Sequence, residues 1–238
     1  MIREVTDLLL PRECLVCGRR LGAMEAQLCI RCRADLPFTF YWERLHNPMA
    51  DRFNALLERS RPDGTPMDYA AAAALLFYHR DNPYKRIPQA LKYGGDRSAG
   101  SHFGAQLGRY LAAQPFWSTV DTVLPVPLHW WRKWRRGYNQ AEIIARAVAE
   151  ALGARLRTDA LRSVRLPRSQ TTLGADDRLR NVEDAFALRK RFSSGHVLIV
   201  DDTFTTGATL CACFLAVRKV LGPSVRISVA TLAAVERF

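Results

Sequence analysis

The chain is expected to be an α/β protein, a parallel sheet flanked by helices and preceded by a small metal-binding unit. Three observations predict this. Val197-Leu-Ile-Val200 is a continuous apolar run of strand length, suited to a strand buried on both faces of a parallel sheet. It leads through Asp201-Asp202 and a hydroxyl-rich turn into a helical pattern, Leu210, Phe214, Val217 and Leu221, which Gly222-Pro223 stops. Near the N-terminus, Cys14-Leu-Val-Cys17 and Cys29-Ile-Arg-Cys32 form two closely spaced Cys-x2-Cys pairs.

The chain has 238 residues, room for one ordinary domain and a small appendage. With 35 basic against 23 acidic residues its formal charge is +12, which suits polyanionic ligands or nucleic acid and says nothing of fold. The longest apolar run, Ala70 to Tyr78, is well short of the roughly 20 residues of a membrane helix, so no membrane insertion is expected. Glu4 and Asp7 interrupt the first ten residues, which lack a signal-peptide core, and the expected location is cytoplasmic.

From the N-terminus, Ile2, Val5, Leu8 and Leu9 make a short helical stripe up to Pro11. The two cysteine pairs follow. Cys14, Cys17, Cys29 and Cys32 can deliver four thiolates tetrahedrally to zinc. Residues 1–36 cannot bury enough apolar surface alone, whereas structural zinc supplies on the order of 10 to 16 kcal/mol in finger peptides. Two disulfides are the other reading, disfavoured without a secretion signal. Four thiolates also leave no open position for catalysis. Cys211 and Cys213 read as small core residues.

Residues 37–68, with Pro37, Pro48, Pro62, Gly64 and Pro66, read as a linker carrying a short helix around Asp51 to Arg59. The main domain is expected over 69–238. Ala70 to His79 reads as a strand, Ile87 to Tyr93 as a helix stopped by Gly94-Gly95, and Phe103 to Ala113 as an amphipathic helix. Asp121 to Pro127 is a strand entering a loop that Pro125 and Pro127 constrain. After a basic, aromatic run, Asn139 caps a helix whose Ile143, Ile144, Ala147 and Val148 face inward. Ser224 to Val229 alternates as a final strand.

The strand, acidic pair, turn and helix have a chemical use. Free amides and partial positive charge at a helix start favour a phosphate, worth on the order of 0.3 to 2 kcal/mol. Thr205, Thr206 and Thr209 add hydroxyls, and Gly207 lets backbone approach the ligand. Asp201 and Asp202, at a strand's carboxyl end, can each accept hydrogen bonds from a sugar hydroxyl, where ligands bind in open α/β sheets. A phosphate one ribose away from a diol is a ribose 5-phosphate. An ordinary Asp cap would not need both acids, three threonines and a glycine.

The basic run has three readings. Guanidinium groups serve a pyrophosphate; or Trp130, Trp131 and Trp134 stack the bases of a single strand while Arg132, Lys133, Arg135 and Arg136 meet phosphates, at about 1 to 3 kcal/mol per base; or the tryptophans enter the core while the charges stay wet. In Arg136-Gly-Tyr-Asn-Gln140, the glycine and asparagine indicate a required turn. Ser169 to Asn181 reads either as a lid with Gln170, Arg178 and Asn181 as ligands, or as an inert surface loop.

Val200-Asp-Asp-Thr-Phe-Thr-Thr-Gly-Ala-Thr209 resembles the fingerprint of type I phosphoribosyltransferases, which bind phosphoribosyl pyrophosphate (PRPP). The resemblance implies a type I phosphoribosyltransferase-like sheet in which Asp201 and Asp202 are the catalytic pair, holding the ribose hydroxyls. It implies that Thr203, Phe204, Thr205, Thr206, Gly207, Ala208 and Thr209 wrap the 5-phosphate. Pro125, Val126, Pro127 and Leu128 would form the pyrophosphate loop, acting with Mg2+. Thr203 stands where an aliphatic residue is commoner.

Across nearly the whole chain, the sequence resembles the ComF (competence protein F, GntX-like) proteins. The match rests on the cysteine knuckle, Leu91-Lys-Tyr-Gly-Gly-Asp96, Pro125-Val-Pro127, Arg136-Gly-Tyr-Asn-Gln140, Gln170 with Arg178 and Asn181, and the Asp-Asp segment. It adds Lys92, Arg136, Asn139 and Gln140 as candidate ligands, and implies a link to DNA uptake in natural transformation and to other DNA-uptake proteins. Two functions stand open: pentosyl transfer from PRPP to an acceptor, or a competence factor without turnover that binds single-stranded DNA or senses PRPP. No hood that would read a nucleobase is legible in the sequence.

Overall fold

A computed structural model describes residues 12–60, 67–93, 95–128, 134, 137–164 and 185–235. In chain order the elements are α1 (Ile30–Ala34), α2 (Pro48–Arg59), β1 (Ala72–Tyr78), α3 (Arg86–Tyr93), α4 (Arg97–Ala112) and β2 (Thr122–Pro125). There follow α5 (Gln140–Leu152), β3 (Arg155–Leu156), β4 (Leu161–Ser163), β5 (Phe186–Leu188), β6 (His196–Phe204), α6 (Ala208–Leu221) and β7 (Arg226–Val235).

The expected parallel sheet is present, five strands in the order β1-β7-β6-β2-β3 with every neighbour parallel. Its strands are short in polar residues because both faces are covered. Alternation along β6 sends Val197 and Ile199 to one face, where they meet Phe53 and Leu57 of α2 and Phe214 and Val217 of α6. Leu198 and Val200 go to the other face, against Phe103 and Leu107 of α4 and Ile144 and Val148 of α5. Phe53, Phe103 and Phe214 are fully buried, each burial stabilising by roughly 1.5–3 kcal/mol. A stripe of Gly100, Gly104 and Gly108 lets α4 lie almost backbone to backbone on α5, for a Cβ on Gly108 would stand 2.6 Å from that of Ala151.

The expected linker contains part of this core. Asn47 caps α2, accepting from the Met49 and Ala50 amides, and Pro48 opens the helix, so α2 starts earlier than the sequence reading placed it. Pro37 and Thr39 exchange backbone hydrogen bonds with Leu75 and Phe77 at the outer edge of β1. Residues 37–60 are therefore packed on the sheet. The cysteine-bearing N-terminal region shares the same core, since Val16, Leu28 and Cys29 join Ile87 and Leu91 of α3 in one cluster.

Polar groups at the amino-terminal end of the sheet are spent on each other. The Asp121 carboxylate accepts from Thr122 Oγ1 (2.7 Å), Ser194 Oγ and the amides of Gly195 (2.6 Å) and His196 (3.2 Å). His196 is buried, with Nδ1 2.7 Å from Thr119 Oγ1 and Nε2 2.9 Å from Ser228 Oγ.

At the carboxyl-terminal end the chain departs in two directions. After β2 it crosses one face through α5 to β3; after β6 it crosses the opposite face through α6 to β7. The neighbours β2 and β6 thus flank a topological switch point, where open α/β sheets leave a crevice for ligands. Among the described residues no helix is long and apolar enough to cross a membrane.

Candidate functional site

The acidic pair sits in this crevice, but inside the strand. β6 was expected to end at Val200. It runs to Phe204 because β7 stays paired with it, Asp201 opposite Thr231 and Phe204 opposite Ala234. Thr203 and Phe204, expected in the phosphate bend, are strand residues. Phe204 is 1% exposed and sits with its ring 6.4 Å from that of Phe53, so its side chain is core.

The bend is Thr205-Thr206-Gly207. Gly207 takes φ +83°, and a Cβ there would lie 2.8 Å from the Phe204 ring, so the position demands glycine twice over. Arg52 braces the bend from α2, donating to the carbonyls of Thr205 (3.0 Å) and Val235 (3.1 Å). α6 starts directly at Ala208, its first amides free of helical partners. A solvent-open hollow lies between the bend and the strand, lined by Asp201, Thr203, Thr205, Thr206, Gly207 and Thr209 among others.

The acids differ electrostatically. Burial pushes the Asp201 carboxyl up to about 8, and the neighbouring Asp202 charge adds to the effect. The Asp202 amide donates to Asp201 Oδ1 at 2.8 Å and partly opposes the rise. Lys92, from the end of α3, places Nζ 3.1 Å from Asp202 Oδ1 and 3.3 Å from Thr203 Oγ1. The structure thus brings together Asp201, Asp202, the bend and Lys92.

The Pro125 to Leu128 loop lies beside them. Pro125 pairs with Val200, the Val126 amide donates to the Val200 carbonyl at 2.8 Å, and Pro125 and Val126 are buried while Pro127 and Leu128 are partly exposed. Much of Arg136 to Gln140 shapes this loop. Gly137 has φ +76°, the required turn the sequence suggested. Asn139 caps α5 through the Ala141 amide (3.2 Å) and donates to the Val126 carbonyl (3.0 Å), so its side chain is committed to framework. Gln140 is 2% exposed, and its Nε2 lacks a hydrogen-bond partner among the described residues. Trp130, Trp131, Arg132, Lys133, Arg135, Arg136, Gln170, Arg178 and Asn181 lie outside the described residues, as does the stripe of Ile2, Val5, Leu8 and Leu9. Trp134 is described and 80% exposed, so its ring is not in the core.

In the N-terminal region the sulfurs of Cys14, Cys17, Cys29 and Cys32 all lie within 4.8 Å of one another, and Cys17 and Cys29 are 3.8 Å apart. A tetrahedral zinc with bonds of about 2.3 Å requires sulfur separations of about 3.8 Å, so the four thiols fit that ion. The Cys14 carbonyl accepts from the Gly18 amide and the Cys29 carbonyl from the Arg33 amide, the two turns that aim each pair.

Two contributors escaped sequence reasoning. Arg52 is one arginine among many, and only its long-range contacts single it out. Tyr138 donates its hydroxyl to the Leu91 carbonyl, tying the loop side of the site to the residue before Lys92; its place inside the glycine-asparagine turn was the available signal.

Comparison with known proteins agrees with both halves of this description. Residues 5–43 match the double zinc ribbon domain family. Over 93 residues the chain is 37% identical to competence protein F of Haemophilus influenzae, covering 38% of this chain and 41% of that protein. It is 35% identical over 117 residues to the DNA utilization protein YhgH of Salmonella typhi (46% of this chain, 52% of the relative). Against YhgH of Escherichia coli K12 the figure is 36% over 90 residues (38% and 40%). The matched stretch spans about half or less of each of these relatives. The ComF resemblance is thus borne out by relatives named competence protein F and DNA utilization protein YhgH, and by a four-cysteine zinc ribbon ahead of an α/β domain.

Proposed function

We propose that the chain binds PRPP, or another ribose 5-phosphate ligand, at the carboxyl ends of β2 and β6. The observation that carries this reading is the meeting of two adjoining carboxylates, a threonine-rich hollow and a fresh helix start at the switch point of the sheet. The 5-phosphate takes the first amides of α6 and the hydroxyls of Thr205, Thr206 and Thr209. Asp201 and Asp202 accept from the ribose hydroxyls, and Lys92 balances charge on the Asp202 side. The Pro125 to Leu128 loop takes the pyrophosphate. Carboxylate oxygens are the hard donors that magnesium prefers, and bound magnesium supplies the positive charge that steadies a departing pyrophosphate. As a ligand to such an ion, Asp201 would act in its ionised form. Pentosyl transfer further needs an acceptor at the anomeric carbon, and pyrophosphate release across a panel of bases and single-stranded DNA measures it.

Titration calorimetry with PRPP and magnesium tests the site. The wild-type chain binds, and Asp201→Asn with Asp202→Asn weakens binding at least about tenfold, the equivalent of 1.4 kcal/mol. Equal affinity in the double variant would refute the assignment.

A second reading, contact with single-stranded DNA, is favoured by the exposed Trp134 in the basic run and by relatives named for competence and DNA utilization. Fluorescence anisotropy should show affinity for an oligonucleotide falling steeply with salt, and Trp134→Ala weakening it by about fivefold or more, as loss of one stacked base requires. A flat salt response removes this reading.

A further inference from the structure

The zinc ribbon and the Asp201-Asp202 crevice are joined by one short helix. The Tyr84 hydroxyl donates to the carbonyl of Cys32 at 3.0 Å, and Arg86 Nη1 donates to the carbonyl of Val16 at 2.9 Å. These carbonyls belong one to each Cys-x2-Cys knuckle, so the chain entering α3 grips both. Two turns later, about 12 Å at 1.5 Å per residue, the same helix delivers Lys92 to Asp202 at 3.1 Å. Between the two ends, Ile87 and Leu91 are fully buried in the core that contains Val16, Leu28 and Cys29. The far end is fixed by Tyr138 on the Leu91 carbonyl. An eight-residue helix is far below the length that is stable alone, so its position is set by what holds its ends.

We propose that Tyr84 and Arg86 are positioning residues: from the zinc ribbon they set Lys92 against Asp202, so that the integrity of the ribbon tunes the affinity of the phosphoribosyl site. The inference rests on the reading of that site given above. The coupling has a physical route. The thiolate cluster fixes the two knuckles, the knuckle carbonyls fix Tyr84 and Arg86, and these fix the register of α3. Lys92 Nζ is the only described cation within salt-bridge reach of Asp202. A loosened α3 leaves Asp202 without that counter-charge when an anionic ligand arrives.

The test uses the full zinc-loaded chain carrying Tyr84→Phe or Arg86→Met, which delete the hydrogen bonds while keeping the apolar stems. Both variants are expected to retain zinc, to bind magnesium PRPP about fivefold or more weakly, and to exchange the amides of residues 86–93 faster while those of α6 are unchanged. In a Lys92→Ala background the same substitutions should change affinity no further, a non-additivity that a merely structural role would not produce. Unchanged affinity alongside normal wild-type binding overturns the proposal, and so does a fully additive loss. If the wild type binds no PRPP, the functional reading fails by itself. Amide exchange then decides: slow exchange at 86–93 after the substitutions, or after zinc is removed by a chelator, overturns the positioning role.

Discussion

Asp121 and Asp201 stand at opposite ends of one sheet and are treated in opposite ways. Burial would raise the Asp121 carboxyl, but hydrogen bonds from the hydroxyls of Ser194 and Thr122 and the amides of Gly195 and His196 outweigh it and hold the group below the usual carboxylate range. Asp201 is raised to about 8 by burial and by Asp202, and among the described residues its only hydrogen bond comes from the Asp202 amide. Beside Asp121, His196 has both ring nitrogens partnered, and burial holds it neutral, lowered to about 4. The closed end uses its polar groups to satisfy one another. The open end leaves an acid under strain beside a hollow, the mark of a group reserved for something that binds.

Removing each acid should therefore have opposite consequences. Asp121→Ala leaves the hydroxyls of Thr122 and Ser194 and the amides of Gly195 and His196 without their acceptor and should cost about 2 kcal/mol in urea unfolding. A loss under about 0.5 kcal/mol would show that the amino-terminal end is not held by this carboxylate.

Asp201→Asn should do the reverse, in a defined pH window. Asp201 keeps its proton in the folded chain up to about 8, whereas the unfolded chain ionises it near the ordinary value of 3.8. The folded state binds more protons between these values, so wild-type stability falls as pH rises from about 4 to about 8. Asparagine cannot ionise and removes that fall. The variant should gain up to about 1.4 kcal/mol per pH unit relative to wild type between pH 5 and pH 8. Identical pH slopes in the two proteins would place Asp201 in an ordinary solvated setting and erase the contrast.

The sequence revealed this fold through features that are local. Val197 to Val200, the helical spacing of Leu210, Phe214, Val217 and Leu221, and the Asn139 cap all depend on near neighbours, and each marks an element that is present. The extension of β6 through Asp201 and Asp202 was hidden, because two acids and a threonine resemble a turn unless a partner strand is known, and β7 begins more than twenty residues later. Within 37–68 the short helix was legible around Asp51 to Arg59, but the Pro-rich composition concealed its packing on the sheet and its earlier start at Pro48, although Asn47-Pro48 is a legible helix start. At the site, Lys92 came from a motif, while its pairing with Asp202 lies across 110 residues of chain (202 − 92) and required the fold. The cysteine cluster was legible in full, since two short spacings define it.

The measurement that bears most directly on Asp201 is the proton exchanged when ligand binds. Titration of magnesium PRPP into the chain at pH 7, in buffers of different ionisation enthalpy, should release close to one proton per ligand in wild type and about none in Asp201→Asn, because the carboxyl protonated in the free protein must ionise to hold the ribose and the ion. Binding with no proton release, or with equal release in both proteins, would contradict an acid held in reserve for the ligand.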